Sequence, residues 1–448
     1  MPPGLLDSLF TSQAMDSVFS DRAHVQGMLD FDAALARAEA KAGIIPARAA
    51  EAIAAKCDAG LVDIDALRRD ARDAGNTFLP LHGQLTRLVA ADDVAAAGFL
   101  HWGATSQDAM DTGLMLQLRR ALELIEGDLE KLSEALAVQA GAHRNTVMAG
   151  RTWLQQALPV TFGLKVAGWL DAVERHRSRL AGLRPRLVVL QFGGAAGTLA
   201  SLGDKGLAVA EALAVELGLT LPAMPWHGHR DRLVEAGLAM AALAGSLGKM
   251  ARDISLLSQT EVAEAFEPTG AGRGGSSAMP QKHNPVACAA ILAVALRMPG
   301  LAASLLAAMP QEHERGLGGW HAEWTTLPEM FRLAAGALEQ AVFLASGLEV
   351  DAARMRANLE AAQGQIMAEA IKMALAQRLG QGVAHAIVRR ACETAARTDR
   401  PLGEVLAGDS EAAAAIPVVE LSALLRPESY LGGAEDFVDR VLAGRRGY

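Results

Sequence analysis

Between Thr269 and Pro285 the chain reads Thr-Gly-Ala-Gly-Arg-Gly-Gly-Ser-Ser-Ala-Met-Pro-Gln-Lys-His-Asn-Pro. Two adjacent hydroxyls, Ser276 and Ser277, and one amine, Lys282, ride on a glycine-rich loop. A serine is a poor acid or base unless its alkoxide is stabilised, and a neighbouring ammonium can supply that. Asn284-Pro285 ahead of the apolar run Val286 to Leu296 is a helix-start signal, Asn as cap and Pro at the first helical position. The loop is therefore expected to deliver Lys282 and Asn284 to the positive end of a helix, a natural carboxylate site. Read blandly, the same stretch is a Gly/Ser linker. Gly270, Gly272 and Gly275 match the dinucleotide-binding string, but Leu256 to Phe266 reads as the end of a helix and no βαβ unit surrounds it, so that match is rejected.

A second segment, His101 to Asp108, reads His-Trp-Gly-Ala-Thr-Ser-Gln-Asp. Thr105 and Asp108 stand three apart at the head of a long helix, as in a capping box. Thr105, Ser106 and the N–H groups there could hold an anion, or could simply cap the helix. His101 alone reads as a structural histidine as readily as a functional one. Arg151 to Pro159 precedes another helix, whose start Pro159 is expected to mark. His313 to Trp324 is dense in polar and aromatic groups with three glycines, a surface turn or part of a site. His227-Gly228-His229 lacks a third ligand at a recognisable spacing, so no metal is expected. No Walker loop, zincin helix or nucleophile elbow occurs.

The elements that must position these residues are helices. Of 448 residues, 51% are hydrophobic, 21% charged and only 4% aromatic, with Ala and Leu, the strongest helix formers, prominent. Three regions separate: short helices over 1–107, a few long helices over 108–348, and short helices again over 349–448. Leu233, Ala236, Met240, Leu243, Leu247, Met250, Ile254 and Leu257 step by 3 and 4, the seam of a helix packed along its length. Leu114, Leu118, Leu122, Ile125, Leu129, Leu132 and Leu136 nearly repeat it. The fold class is all-α, and the seams are expected to form a bundle shared between subunits rather than one closed within the chain.

A net charge of −9 and the lack of a Lys/Arg run argue against nucleic acid as a partner. Cys57, Cys288 and Cys392 are odd in number and far apart, as in a reducing compartment. The N-terminus lacks the pattern of a secretory signal, and no uninterrupted apolar stretch of membrane-spanning length is present. Together these give a cytoplasmic protein with no membrane partner.

The run Gly275 to Pro285 resembles the signature loop of the fumarase/aspartase superfamily, which includes adenylosuccinate and argininosuccinate lyases and the delta-crystallins. His101 with Thr105-Ser106, Arg151-Thr152 with Gln155, Gly193-Gly194-Ala195-Ala196-Gly197-Thr198, and Glu261 with Glu264 support it in the right order. The resemblance runs from about Asp21 to the last helices. It implies a homotetramer whose central domains form one bundle, with each site built from three subunits, and chemistry without metal or organic cofactor. It implies that Ser276, or else Ser277, transfers a proton at the carbon next to a carboxylate. Lys282 and Asn284 act with it, and His101, Thr105, Ser106, Arg151, Trp153, Gln155, Ser277, Met279 and Arg315 surround the substrate.

Two departures narrow the activity. Succinyl-purine and argininosuccinate lyases carry a histidine where this chain has Trp153. Adenylosuccinate lyases follow Glu-Arg with a serine-rich stretch and a further arginine that grip a nucleotide; here Glu314-Arg315 is followed by Gly316-Leu317-Gly318-Gly319-Trp320-His321-Ala322-Glu323-Trp324. Both departures look like the bacterial 3-carboxy-cis,cis-muconate cycloisomerases. That implies a small tricarboxylate substrate closed to a γ-lactone by its own carboxylate, with no leaving amine to protonate and with Trp153, Trp320 and Trp324 as walls. The other readings are a fumarate-releasing lyase and a non-catalytic protein of the same fold.

Overall fold

The computed structural model describes residues 4–270, 272–276 and 278–445; Ser277 lies outside the described residues. Nineteen α-helices and two two-stranded sheets form among them. Five helices are long: Ser106–Ala142, Phe162–Leu187, Asp231–Leu257, Val286–Ala308 and Gly319–Gly347. Residue contacts divide the chain into two compact units that do not follow chain order. The first holds Met1–Glu130, His176–Gly248 and Ala290–Gln340, and the second Lys131–Arg175, Lys249–Ala289 and Ala341–Tyr448.

The seam from Leu233 to Leu257 is buried at every position, as are Leu118, Leu122, Ile125, Leu129, Leu132 and Leu136. These stripes are thus covered within one chain, and they do not themselves call for a partner. The uncovered apolar surface lies elsewhere. Leu296 is 78% exposed on the Val286–Ala308 helix, and Gly300, Ala303 and Ala307 are exposed beside it. Asp231–Leu257 and Val286–Ala308 are long and apolar enough to cross a membrane by length and composition, the first mostly buried in the chain and the second only 33% buried. Much of that hydropathy comes from alanine, which is small enough for close helix packing.

Each unit has a buried polar anchor or a core of its own. In the first, the fully buried Arg230 donates to both oxygens of Asp111 at 2.7 and 3.0 Å and to Glu323 at 2.6 and 2.9 Å. Burial pulls the guanidinium pKa down, but the two carboxylates outweigh it and hold the group above its usual value; burial pushes Glu323 up. Trp320 donates its indole N–H to Asp111 at 3.1 Å. Trp320, expected as a substrate wall, is instead a core residue, because its N–H satisfies a buried carboxylate. In the second unit, Met367, Ile371, Leu375, Ile387 and Leu402 pack as the core of the short C-terminal helices.

The strands were not expected. Val147–Thr152 pairs antiparallel with Gln155–Thr161, with a bulge between Ala149 and Arg151. Gly150 sits there because a Cβ would meet the Leu158 carbonyl oxygen at 2.8 Å. Pro159 therefore lies in a strand opposite Ala149, not at a helix start. The helix begins at Phe162, where the Thr161 hydroxyl accepts the Leu164 amide at 3.1 Å. The second sheet pairs Ala265–Phe266 with Glu349–Val350, at the root of the glycine-rich loop.

Candidate active site

Seven of the described candidates, Arg151, Trp153, Gln155, Ser276, Met279, Lys282 and Asn284, belong to the second unit. His101, Thr105, Ser106 and Arg315 belong to the first.

The loop 267–285 leaves its mini-sheet at Phe266 and returns at the Val286–Ala308 helix. Its base is pinned. The Asn284 amide donates to the Gly274 carbonyl at 2.8 Å, and Gly274, at φ +66°, has no room for a Cβ, which would lie 2.7 Å from the Asn284 carbonyl oxygen. Glu349 accepts the Thr269 amide at 3.0 Å and its hydroxyl at 3.1 Å. The Arg273 guanidinium lies 3.6 Å over the Phe343 ring. Toward the tip, the Ser276 hydroxyl accepts the Met279 amide at 3.2 Å, and the Lys282 amide bonds back to the Met279 carbonyl at 3.0 Å. Met279 and Lys282 are exposed. A cavity of about 420 Å³ is lined by Glu267, Thr269, Arg273, Lys282, Asn284 and Glu349, among others.

The helix end that was expected to hold a substrate carboxylate is already filled. Glu267 accepts the Ala287 amide at 3.0 Å and the Cys288 amide at 2.7 Å. The Val286 amide goes to the Asn284 carbonyl and the Ala289 amide to that of Pro285. The four first-turn donors thus have partners inside the chain, and Glu267 takes the place an anionic ligand would have had. Burial and the adjacent Glu267 carboxylate push the Cys288 thiol up, so it stays protonated.

Arg151 makes a bidentate pair with Glu264, at 2.8 and 2.7 Å, and Glu264 is wholly buried. Asn358 donates to the same carboxylate at 2.9 Å and to the Val262 carbonyl at 2.7 Å. Both terminal nitrogens of Arg151 are thus committed to the chain, three residues before the glycine-rich loop begins. The pair holds the hairpin against the loop root. At the hairpin tip the Thr152–Gln155 pairing leaves a two-residue turn, Trp153-Leu154, with φ of +53° and +63°. Such turns favour Asn-Gly, and bulky residues there cost about 1–2 kcal/mol each. Trp153 is 97% exposed and Leu154 74%; Gln155 is exposed beside them. Strain spent on displaying an indole is a sign of function.

In the first unit, Asp108 is the organising residue. Its buried carboxylate accepts from His227 Nε2 at 2.7 Å, from the amides of Gly193 and Gly194 at 3.1 and 2.9 Å, from Gln191 at 3.2 Å and from the Thr105 amide at 3.0 Å. One half of the expected capping box is present, and the same side chain also draws the Gly193–Thr198 loop onto the head of the Ser106–Ala142 helix. Gly194, at φ +69°, has a Cβ position only 2.8 Å from the Gly103 carbonyl oxygen. Arg315 donates to the Ala195 carbonyl of that loop at 3.0 Å. Thr105, Ser106 and Arg315 are therefore brought together around one glycine-rich turn. His101, at φ +56°, bonds through Nδ1 to Asp32 at 2.7 Å and stacks on Phe78 at 4.3 Å between centroids.

Compared with known proteins, residues 10–300 match the family described as Lyase, and residues 364–441 match the adenylosuccinate lyase C-terminus. The chain belongs to the fumarase/aspartase superfamily of lyases. A relative from Pseudomonas aeruginosa, a 3-carboxy-cis,cis-muconate cycloisomerase, is 57% identical over 98% of this chain and 96% of its own. The crystal structure of the 3-carboxy-cis,cis-muconate lactonizing enzyme from Pseudomonas putida superposes with a TM-score of 0.94 at 53% identity, covering 99% of each chain. That of the β-carboxy-cis,cis-muconate cycloisomerase from Acinetobacter calcoaceticus sp. ADP1 gives 0.93 at 44%, covering 98% of this chain and all of the other.

Within the family framework, four residues with structural work to do had no motif signal of their own: Asp32, Glu267, Glu349 and Asn358. Glu267 does sit just ahead of a glycine-rich stretch that leads to a helix start, and a capping partner for that helix could have been sought there.

Proposed function

We propose that this chain is a lactone-forming 3-carboxy-cis,cis-muconate cycloisomerase. The observation that carries the reading is the full-length likeness to enzymes of that name, 57% identical over 98% of the chain in one case. The residue types that the family resemblance singles out suit such a substrate. Trp153 offers a flat apolar wall for a conjugated substrate, and Lys282 and Arg315 supply cationic anchors. Thr105, Ser106, Gln155 and Asn284 add polar contacts, with Met279 at the loop surface, while His101, held by Asp32 with its Nε2 buried, supports the segment that carries Thr105 and Ser106. Arg151 serves by holding the Trp153 turn. A carboxylate already on the substrate attacks a diene carbon; the C–O bond forms, a C=C bond breaks, and its electron pair moves to the carbon beside another carboxylate. Ser276 delivers a proton to that carbon, and Lys282 stabilises the serine oxygen left behind. The serine oxygen then recovers a proton from solvent, so the trianion takes up one proton overall, and substrate and lactone, counted as their acids, are isomers.

Four of the site residues, Trp153, Gln155, Met279 and Lys282, stand exposed in one chain. With the uncovered apolar face of the Val286–Ala308 helix, this supports a homotetramer in which other copies complete each site. Packing between copies, rather than lipid, accounts for that face. The free cysteines Cys57, Cys288 and Cys392 suit a cytoplasmic location.

The test is a diene assay. Purified protein without added metal or cofactor should bleach the ultraviolet absorbance of 3-carboxy-cis,cis-muconate. In D₂O it should place one deuterium on a carbon next to a carboxylate. It should release no fumarate from adenylosuccinate or argininosuccinate, and Trp153→His should not create activity on adenylosuccinate, since the phosphate-holding groups are still missing. Fumarate from adenylosuccinate with no reaction on the muconate would overturn the reading in favour of a lyase. Inertness toward all three would leave a non-catalytic protein of this fold.

A further inference from the structure

The Glu267 side chain joins the two ends of the glycine-rich loop. It is the first residue of the loop, directly after the strand Ala265–Phe266. Its carboxylate accepts the amides of Ala287 and Cys288, at 3.0 and 2.7 Å, in the first turn of the helix that follows. Two charge-assisted hydrogen bonds at a helix N-terminus are stronger than neutral ones and align with the helix dipole. Beyond this clasp, backbone bonds near Gly274, the Glu349–Thr269 contacts and Arg273 over the Phe343 ring hold the base, while Met279 and Lys282 are exposed at the tip.

We infer that Glu267 is a positioning residue of the proton-transfer loop, acting as a built-in carboxylate that fixes the helix from which Lys282 and Asn284 are aimed. The inference rests on the cycloisomerase reading, which makes this loop the catalytic one. Glu267 touches neither the reacting atoms nor Ser276. Its effect passes through the backbone of residues 284–288. Losing it should misplace Lys282 and Asn284 in the transition state more than in the bound substrate, lowering kcat with little change in KM.

The test compares wild-type full-length protein with Glu267→Ala and Glu267→Gln, in two independent measurements. In the diene assay, Glu267→Ala should lose about 100-fold in kcat, the size expected of a misplacement of about 1 Å, with KM changed less than about threefold. Glu267→Gln, which keeps the length but not the charge, should lose less. Sodium formate, small enough to enter the vacated position, should restore part of the Glu267→Ala rate, whereas the same concentration of chloride should not. A merely structural role would not respond to formate in this way. In amide hydrogen exchange, Ala287 and Cys288 should exchange faster in Glu267→Ala, and formate should slow them again. Should Glu267→Ala fail to fold, Glu267→Gln carries both measurements. Wild-type kcat with unchanged exchange in the variants would overturn the inference and leave the function standing. So would a slow variant that formate leaves untouched in both rate and exchange. Wild-type protein inert toward the muconate would instead overturn the function, and the exchange measurement would still decide whether Glu267 clasps the loop.

Discussion

The Ser276 hydroxyl accepts one amide, that of Met279, and leaves its proton available to donate. Ser276→Ala is expected to lower kcat by about 10³-fold, the middle of the range for a positioned proton-transfer group, with KM nearly unchanged. Steady-state kinetics on the muconate check this, and a near-wild-type rate with collapse in Ser277→Ala would move the role to the second serine. A different residue governs stability. Glu39 is buried, neither carboxylate oxygen has a hydrogen-bond partner, and burial, with Asp32 nearby, raises its pKa from 4.5 to about 9. The folded protein therefore holds a proton that the unfolded chain gives up above about pH 4.5. The sign follows: stability is highest below the unfolded value and falls as pH rises toward 9. Glu39→Gln should flatten that decline, with little difference in Tm at pH 5 and a higher Tm than wild type at pH 8.5. An unchanged slope of Tm against pH would remove Glu39 as its cause. Ser276, Lys282 and Asn284 were legible in the sequence because polar types crowd into a glycine-rich run that ends at a helix start. Asp32 and Glu267 were far less so, and Glu264 entered through the family resemblance alone, without its partner. An acidic residue in a helical protein looks like solvated surface until its distant partner is known, and here those partners are His101, Arg151 and the 287–288 amides.

At the scale of elements, 3-4 periodicity made the long helices readable, because a helix packed along its length must repeat its apolar residues. The hairpin between Val147 and Thr161 escaped for physical reasons. Gly150 breaks the strand pattern at a bulge, Pro159 imitates a helix start, and Trp153-Leu154 has none of the residues that usually form a two-residue turn. Only an interaction off the hairpin can justify that choice, and the strain can be measured. Leu154→Gly should stabilise the protein by about 1 kcal/mol, since glycine adopts φ of +63° without a Cβ clash, and should keep most activity because Trp153 remains. The double change Trp153→Asn with Leu154→Gly should stabilise further, by about 1–2 kcal/mol in all, yet lose most of kcat/KM. Urea denaturation and the diene assay, run on the same samples, check both halves. A double variant that is less stable than wild type would show that the turn is not strained, and full activity in it would remove Trp153 from the site.

For the whole molecule, the helical architecture was legible, but the residues that favour association are not those of the seams. Seam residues such as Met240 and Leu247 are buried by their own chain, so periodicity alone could not distinguish a closed bundle from a shared one. What remains uncovered is a face of the Val286–Ala308 helix, where Ala289, Leu296, Gly300, Ala303 and Ala307 are exposed. Small residues at such spacing let helix backbones approach closely, and a charge placed among them would be buried without a partner in any close packing. Sedimentation of the wild-type protein should therefore give a species near four times 46.9 kDa. Ala303→Glu should shift that species toward the monomer while leaving the helical circular dichroism signal intact, because Ala303 is exposed within its own chain. If each site draws residues from several copies, activity should fall in step with the tetramer fraction as this variant is diluted, and should recover at high protein concentration. A monomeric Ala303→Glu protein with full turnover would mean that one chain builds the whole site.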